Sequence, residues 1–371
     1  MEPVERETRP GNSDQLEIKG YDYIELYVGN ACQAAHFYNS TFGLKPVAHA
    51  GPETNVRDRV SFVVEQRNIR IVLTSSLDSS SRIADHVKQH GDSLKDIAFL
   101  VDDAAKAFDL SLKNGGLPVM EPTIFEDETG RIVKSTIAAY GDTVHSFVER
   151  KDYPEGFFPG YRRITKSLEA ESLGLAAIDH VAVGVEAGML DKWVEFYSNV
   201  LGFHQSHQED VATDYSAMNS KVVENKSGKI KFPIMEPAPG KRRSQIEEYL
   251  MFHNGAGAQH IALLSDDIAR SVRQLRKNGI EFLRTPENYY DSLHERIGHV
   301  DEDIAAMREQ NILIDRDGWG YLMQIFSKPL QGRPTLFFEL IQRKGARGFG
   351  AGNIKALFES IEREQSQRST V

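Results

Sequence analysis

The chain has 371 residues, a single cysteine and a formal net charge of −10, which excludes a disulfide framework within the chain and makes nucleic acid or an anionic membrane a poor partner. With 40% hydrophobic residues there is ample material for globular cores, and no apolar run approaches the ~20 residues of a membrane-spanning helix. The N-terminus is polar and charged with no secretory apolar stretch, so a cytoplasmic location is expected.

Residues 1–20 combine prolines with charge and little periodicity, and are expected to form a loose arm. The segment Tyr21-Asp22-Tyr23-Ile24-Glu25-Leu26 then reads as a strand, followed by a helix carrying Phe37-Tyr38 and a turn at Phe42-Gly43-Leu44. A second strand, Lys95 to Leu100, precedes Asp102-Asp103 and Lys113-Asn114-Gly115, and a strand from His145 ends in Arg150-Lys151. The turn-rich passage from Tyr153 to Gly160 ends this first domain, assigned to 21–155, with 156–176 as linker. The pattern then recurs. Ile178-Asp179-His180-Val181-Ala182-Val183 leads to Phe196-Tyr197 and Leu201-Gly202-Phe203. Gln259-His260-Ile261-Ala262-Leu263-Leu264 leads to Asp266-Asp267 and Lys277-Asn278-Gly279, and Phe338 to Gln342 ends in Arg343-Lys344.

A repeat of this kind predicts two related domains, the second over 177–345, each built from paired β-α-β-β-β modules in an α+β architecture. Such modules form half-open barrels whose concave face can enclose a ligand, with helices outside. The glycine-rich run Gly345-Ala346-Arg347-Gly348-Phe349-Gly350-Ala351-Gly352-Asn353 leads into the closing segment 346–371, whose amphipathic helix bears Ile354, Leu357, Phe358 and Ile361. That helix either packs on its own domain or acts as a lid.

Aligning the halves places Tyr23 opposite His180, Asp96 opposite His260 and Ser146 opposite Glu339. The trio His180, His260 and Glu339 therefore exists only in the second copy. A lone strand histidine is more often a hydrogen-bonded core residue than a ligand; three replacements at equivalent strand positions are hard to assign to packing. Two imidazoles and one carboxylate on one face of a divalent ion leave three positions open, which suits a non-heme Fe(II) oxygenase binding substrate and O2, whereas structural zinc leaves none. Alternation puts Ile178, His180 and Ala182 on one face, likewise Ala258, His260 and Ala262, and Phe337, Glu339 and Ile341, with Gln259 pointing away. Other histidines (His204, His207, His294, His299) lie in charged, loop-like sequence and are expected at the surface.

Six blocks carry a wider resemblance: Phe232 to Lys241, Ser244-Gln245-Ile246, Gly255 to His260, Tyr321 to Phe326, Arg333 to Glu339 and Gly348 to Asn353. In this order they resemble the 4-hydroxyphenylpyruvate dioxygenase family, of the vicinal oxygen chelate superfamily. The resemblance implies one Fe(II) per chain on His180, His260 and Glu339, and a metal-free first half. It implies 4-hydroxyphenylpyruvate and O2 as partners, homogentisate and CO2 as products in tyrosine catabolism, and a homo-oligomer. It further implies that Gln245 and Ser220 serve the phenol, Gln324 supports the bound substrate, and Phe326 and Phe349 sandwich its ring; Gln259, Phe337 and Asn353 complete the surroundings. Two positions depart from the homogentisate-forming pattern: Met235 replaces an asparagine and Ile354 a phenylalanine. A smaller aliphatic at the latter resembles the 4-hydroxymandelate synthases, which hydroxylate the benzylic carbon. The dioxygenase is the first reading and the synthase its rival. A glyoxalase-type isomerase would want a fourth protein ligand, and a metal-free binding module is the non-enzyme alternative.

Overall fold

The computed structural model describes residues 16–153, 156–165, 171–291 and 293–368. Most of the expected arm, and part of the expected linker, lie outside these ranges. The first strand begins at Ile18, three residues before the expected Tyr21.

The first half contributes β1 (Ile18–Tyr27), α1 (Ala31–Phe42), β2 (Lys45–Ala50), β3 (Arg59–Gln66), β4 (Ile69–Ser76), α2 (Arg82–His90), β5 (Ser93–Val101), α3 (Ala104–Lys113), β6 (Pro118–Asp127), β7 (Gly130–Ala138) and β8 (Val144–Asp152), with the short β9 (Arg162–Arg163) after it. The second contributes β10 (Leu175–Gly184), α4 (Leu190–Leu201), β11 (His204–Ala212), β12 (Ala217–Glu224), β13 (Lys231–Ala238), α5 (Gln245–His253), β14 (Gly257–Ser265), α6 (Ile268–Lys277), α7 (Leu293–Ile297), α8 (Ile304–Glu309), β15 (Leu313–Arg316), β16 (Tyr321–Phe326) and β17 (Phe337–Lys344). The closing helix α9 spans Ala351–Arg368.

The sheets run β6-β7-β8-β5-β1-β4-β3-β2-β9 and β11-β12-β13-β10-β14-β17-β16-β15. Each has an antiparallel centre, β1 with β5 and β10 with β14, flanked on both sides by parallel neighbours. These are the curled half-barrels of the vicinal oxygen chelate fold.

The repeated sequence signals have local causes. The second aspartate of each Asp-Asp pair caps a helix: Asp103 accepts the Lys106 N–H and Asp267 the Arg270 N–H, at 2.8 and 2.9 Å. The Lys-Asn-Gly triplets end those helices, with Gly115 and Gly279 at φ 97° and 94°, a region glycine enters without strain.

The largest apolar core lies between the halves. Helices and outer strand faces of both meet there, with Phe42 against Phe338 at 5.1 Å between ring centroids and Tyr197 stacked on Phe232 at 4.8 Å. Smaller clusters line the opposite face of each sheet. Among the described residues no helix is long and apolar enough to cross a membrane.

Strict alternation fails at two points near the trio. Register shifts between Ile178 and His180, and opposite Ala258, insert irregularities into β10 and β14. Ile178 and Ala258 consequently join the large shared core, while Ala182 and Ala262 lie in the clusters on the other face. The expectation that Ile178 and Ala258 share the histidines' face is therefore corrected. A bulge re-aims side chains next to it, and here it does so beside two candidate ligands.

Candidate metal centre

Strand register brings the trio together. His180 pairs with Ala262, which pairs in turn with Glu339; in the first half Tyr23 pairs with Ala98, which pairs with Ser146. His260 sits between Ala182 and Phe337 as Asp96 sits between Glu25 and Val144. The equivalences read from sequence are thus equivalences of position in the sheet.

His180 Nε2 lies 3.1 Å and His260 Nε2 3.4 Å from the same oxygen, Glu339 Oε2. All three side chains are buried, Glu339 with only 2% exposed. The other nitrogen of each ring is occupied: His180 Nδ1 is 2.8 Å from Asp179 Oδ2 and His260 Nδ1 is 3.3 Å from Gln259 Oε1. Engaging Nδ1 turns both Nε2 atoms toward the carboxylate, the orientation that ligating histidines take. Glu339 Oε1 accepts the Gln324 amide at 2.8 Å, leaving Oε2 for the imidazoles. Two convergent Nε2 atoms on one free carboxylate oxygen fit a divalent transition ion.

Electrostatics match that preparation. Burial alone would raise the Glu339 pKa, but the charge of His180 and hydrogen bonds from both histidines outweigh it and hold the carboxyl at about 2. Burial works against charge on His180 too, yet the nearby Glu339 and Asp179 carboxylates raise its pKa overall. For His260 burial wins and the pKa falls. The site thus holds a carboxylate that stays ionised and one imidazole ready to be neutral; His180 must release its proton before it can ligate.

Supports the sequence did not reveal extend outward in two directions. Asp179 receives Arg343 bidentately, at 2.8 Å to each oxygen, and Arg343 also donates to Gly348 O at 2.7 Å while lying 5.5 Å from the centre of the Phe349 ring. A candidate ligand, His180, is thereby tied to the glycine-rich loop. On the other side Asn353 donates to Gln324 Oε1 at 2.7 Å, and Asn353 Oδ1 is 2.5 Å from the Tyr289 hydroxyl. The first turn of α9 is thereby coupled to Glu339. An acid beside a strand histidine and an arginine ending the last strand were visible in the sequence, but nothing local joined them.

The aromatic residues distribute around the histidines. Phe349 meets His180 edge-on at 5.0 Å, Phe337 stacks on His260 at 4.8 Å, and Phe326 meets His260 edge-on at 6.1 Å. Met235 and Phe358 fall in one apolar cluster with Ala182, Met218 and Ile246, and Ile354 packs against it, so the two departures from the family pattern border the same apolar cluster. Gln245 opens α5 next to the capping residue Ser244; its Nε2 reaches only the Met218 sulfur at 3.8 Å, and its buried Oε1 has no partner. Ser220 already donates to Glu209 O at 2.8 Å. A groove of about 1040 Å³ lies apart from the trio beside α9 and is walled by charged groups including Arg242, Arg243 and Glu362. His204 and His299 are exposed, as expected, and neither joins a candidate metal cluster.

The first half shows what replaces the centre. Asp96 Oδ2 accepts from Tyr23 at 3.0 Å, from Ser146 at 2.7 Å and from Lys134 at 3.0 Å, and Lys134 also contacts the Tyr23 hydroxyl at 2.6 Å. Lys134 occupies the register position equivalent to Gln324. An ammonium supplies the positive charge, and Phe157 and Phe158 cover Tyr23 at 5.4 and 6.2 Å.

Comparison with known proteins agrees with this arrangement. Residues 13–158 match the family model described as hydroxyphenylpyruvate dioxygenase, HPPD, N-terminal, and 177–324 that of the glyoxalase/bleomycin resistance protein/dioxygenase superfamily. The 4-hydroxyphenylpyruvate dioxygenase of Dictyostelium discoideum is 43% identical over 95% of this chain and 100% of its own length. That of Aspergillus fumigatus is 42% identical, with 100% of both chains covered. A solved triple mutant of 4-hydroxymandelate synthase from Streptomyces coelicolor superposes with a TM-score of 0.84 at 37% identity, covering 94% of this chain and 99% of its own. Full-length similarity in both halves, around a buried His-His-Glu set present in only one of them, makes this chain a member of the 4-hydroxyphenylpyruvate dioxygenase family.

Proposed function

We propose that the protein is an Fe(II)-dependent dioxygenase that converts 4-hydroxyphenylpyruvate and O2 into homogentisate and CO2. The observation that carries this reading is the convergence of His180 Nε2 and His260 Nε2 on a single free oxygen of Glu339, in a chain similar end to end to enzymes of that name. The bound Fe(II) would supply the open positions on which the substrate's 2-oxo acid and O2 meet. Substrate carboxylate leaves as CO2; one atom of O2 enters the new carboxylate and the other the ring.

The chain's own residues do the positioning. Gln324 holds Oε1 of Glu339 and so restricts the carboxylate to one ligating oxygen. Gln245 offers a buried amide oxygen with no protein partner, suited to accept a phenol O–H. Ser220 has spent its proton on Glu209 O, so it serves the phenol only as an acceptor or through a neighbour. Phe349, Phe326 and Phe337 surround the two imidazoles with apolar surface and keep water from the reacting centre. Asn353 links α9 to this shell, which gives the helix the part of a lid. A cytoplasmic location and a homo-oligomer accompany the reading.

The second reading is 4-hydroxymandelate synthesis, favoured by Met235 in the apolar cluster with Ala182 and Ile354 packed against that cluster. Without a phenylalanine at position 354 to restrain it, the substrate ring can turn and present its benzylic carbon. Anaerobic loading with Fe(II), addition of 4-hydroxyphenylpyruvate and O2, and identification of the aromatic product by mass spectrometry and NMR separate the two. Homogentisate supports the first reading and hydroxymandelate the second; failure to bind any divalent metal rejects both.

A further inference from the structure

We propose that His86, His90 and Asp142 form a second divalent-cation site, of the zinc class, where the first half meets the second. The two histidines are four residues apart on α2 and share a helix face, with ring centroids 4.6 Å apart. Asp142 comes from the turn between β7 and β8. One ligating atom from each residue falls within 4.8 Å of the other two. His90 Nε2 is 3.0 Å and His86 Nδ1 3.9 Å from the same oxygen, Asp142 Oδ2. These edges resemble the 3.1 and 3.4 Å at the trio.

Hydrogen bonding orients the rings toward a cation. His90 Nδ1 is 2.5 Å from the main-chain oxygen of His253 and must carry a proton to bond it. In the neutral ring its Nε2 lone pair then faces a carboxylate oxygen, and two acceptors in contact call for a positive charge between them. His86 is arranged similarly: Nε2 is 2.8 Å from Ser93 Oγ, while Nδ1 has no partner although the side chain is only 4% exposed. A buried unpartnered nitrogen aimed at a carboxylate is costly unless something binds there.

The donor set points to the metal class. Two imidazoles and one carboxylate, with water completing a tetrahedron, suit Zn2+ or Co2+ and not the all-oxygen shells of Mg2+ or Ca2+. Asp142 is 53% exposed, which leaves an entry path. Lys95 bonds the main-chain oxygen of Asp142, and its charge keeps the affinity modest. A bound ion would join α2 to the β7–β8 turn and, through the His253 carbonyl, to α5. Arg333 bridges the same junction, reaching Lys88 O at 3.0 Å and Phe252 O at 3.4 Å.

Co2+ alone is the probe, read by equilibrium dialysis and visible absorption on the full chain. The Glu339→Gln chain, with its first centre weakened, should still take up one cobalt with the intense bands of tetrahedral coordination. Adding Asp142→Asn should weaken that uptake at least tenfold, on the order of the losses seen when a metal's immediate surroundings are altered. Asp142 is largely exposed, so asparagine leaves the fold intact. In the unsubstituted chain the count should be two, falling to one in Asp142→Asn, a comparison that does not depend on Glu339→Gln folding. Equal cobalt uptake with and without Asp142→Asn in both backgrounds overturns the proposal.

Discussion

Replacing Asp179 by asparagine tests how far the ligand geometry depends on its surroundings. The carboxylate takes three short N–H bonds, one from His180 Nδ1 and two from Arg343, all at 2.8 Å. Asparagine keeps the shape but turns one acceptor oxygen into a donor, so at least one of those bonds is lost, and the charge that polarises the imidazole goes with it. Loss of an outer partner of this kind weakens metal binding roughly 10–100-fold, or about 1.4–2.8 kcal/mol. The pH profile carries a second signature. Metal binding needs neutral His180, whose pKa is raised mainly by Glu339 and further by Asp179 against the opposing effect of burial, so affinity in the unsubstituted chain should climb as pH rises through that elevated value. Removing Asp179's charge lowers the His180 pKa and moves the climb to lower pH. Competition with a chromophoric chelator under anaerobic conditions, from pH 5 to 8.5 or so, measures both. An affinity within about threefold of the parent at high pH, or a midpoint that stays put, in a protein whose circular dichroism is intact, would refute the role given to Asp179.

Three further outcomes are expected. Ile354→Phe should shift the product mixture toward homogentisate by restoring a ring against the apolar cluster that holds Met235; an unchanged ratio on NMR rejects that role. Lys134→Met should leave buried Asp96 without its cation and cost about 3–5 kcal/mol in urea unfolding, with metal content unchanged; a cost below about 1 kcal/mol would show that the ammonium does not substitute for a metal. His145 is buried between Ile97 O and the Tyr197 hydroxyl, and burial holds its pKa at about 4 against an ordinary 6.5. Its neutral form is favoured by folding, so stability is full above pH 6.5 and should fall by up to about 3 kcal/mol as pH drops toward 4. His145→Asn should flatten that slope in unfolding measured at successive pH values, and an unaltered slope would point to other groups.

Much of the candidate centre was legible in the sequence. Residue type and repeat position identified His180, His260 and Glu339, because a repeated strand order keeps equivalent residues at equivalent register, as the shared Ala98 and Ala262 pairings show. The caps at Asp103 and Asp267 were legible for the same local reason. Alternation was a poorer guide. It assumes an unbroken pleat, and the shifts beside His180 and His260 moved Ile178 and Ala258 to the other face.

By itself, then, the sequence determined the duplicated architecture, the candidate trio and the two odd positions Met235 and Ile354, all of which depend on local pattern and residue chemistry. Only the tertiary structure decided what each ligand leans on. Asp179 meets Arg343 across 164 positions of chain, Gln324 meets Asn353 across 29, and His90 meets Asp142 across 52. Lys134 fills the first half's vacant centre in the same way, from a neighbouring strand. Such partners are chosen by how the sheets curl and the helices close over them, and a side chain's identity does not encode which distant carboxylate that closure will bring within 3 Å.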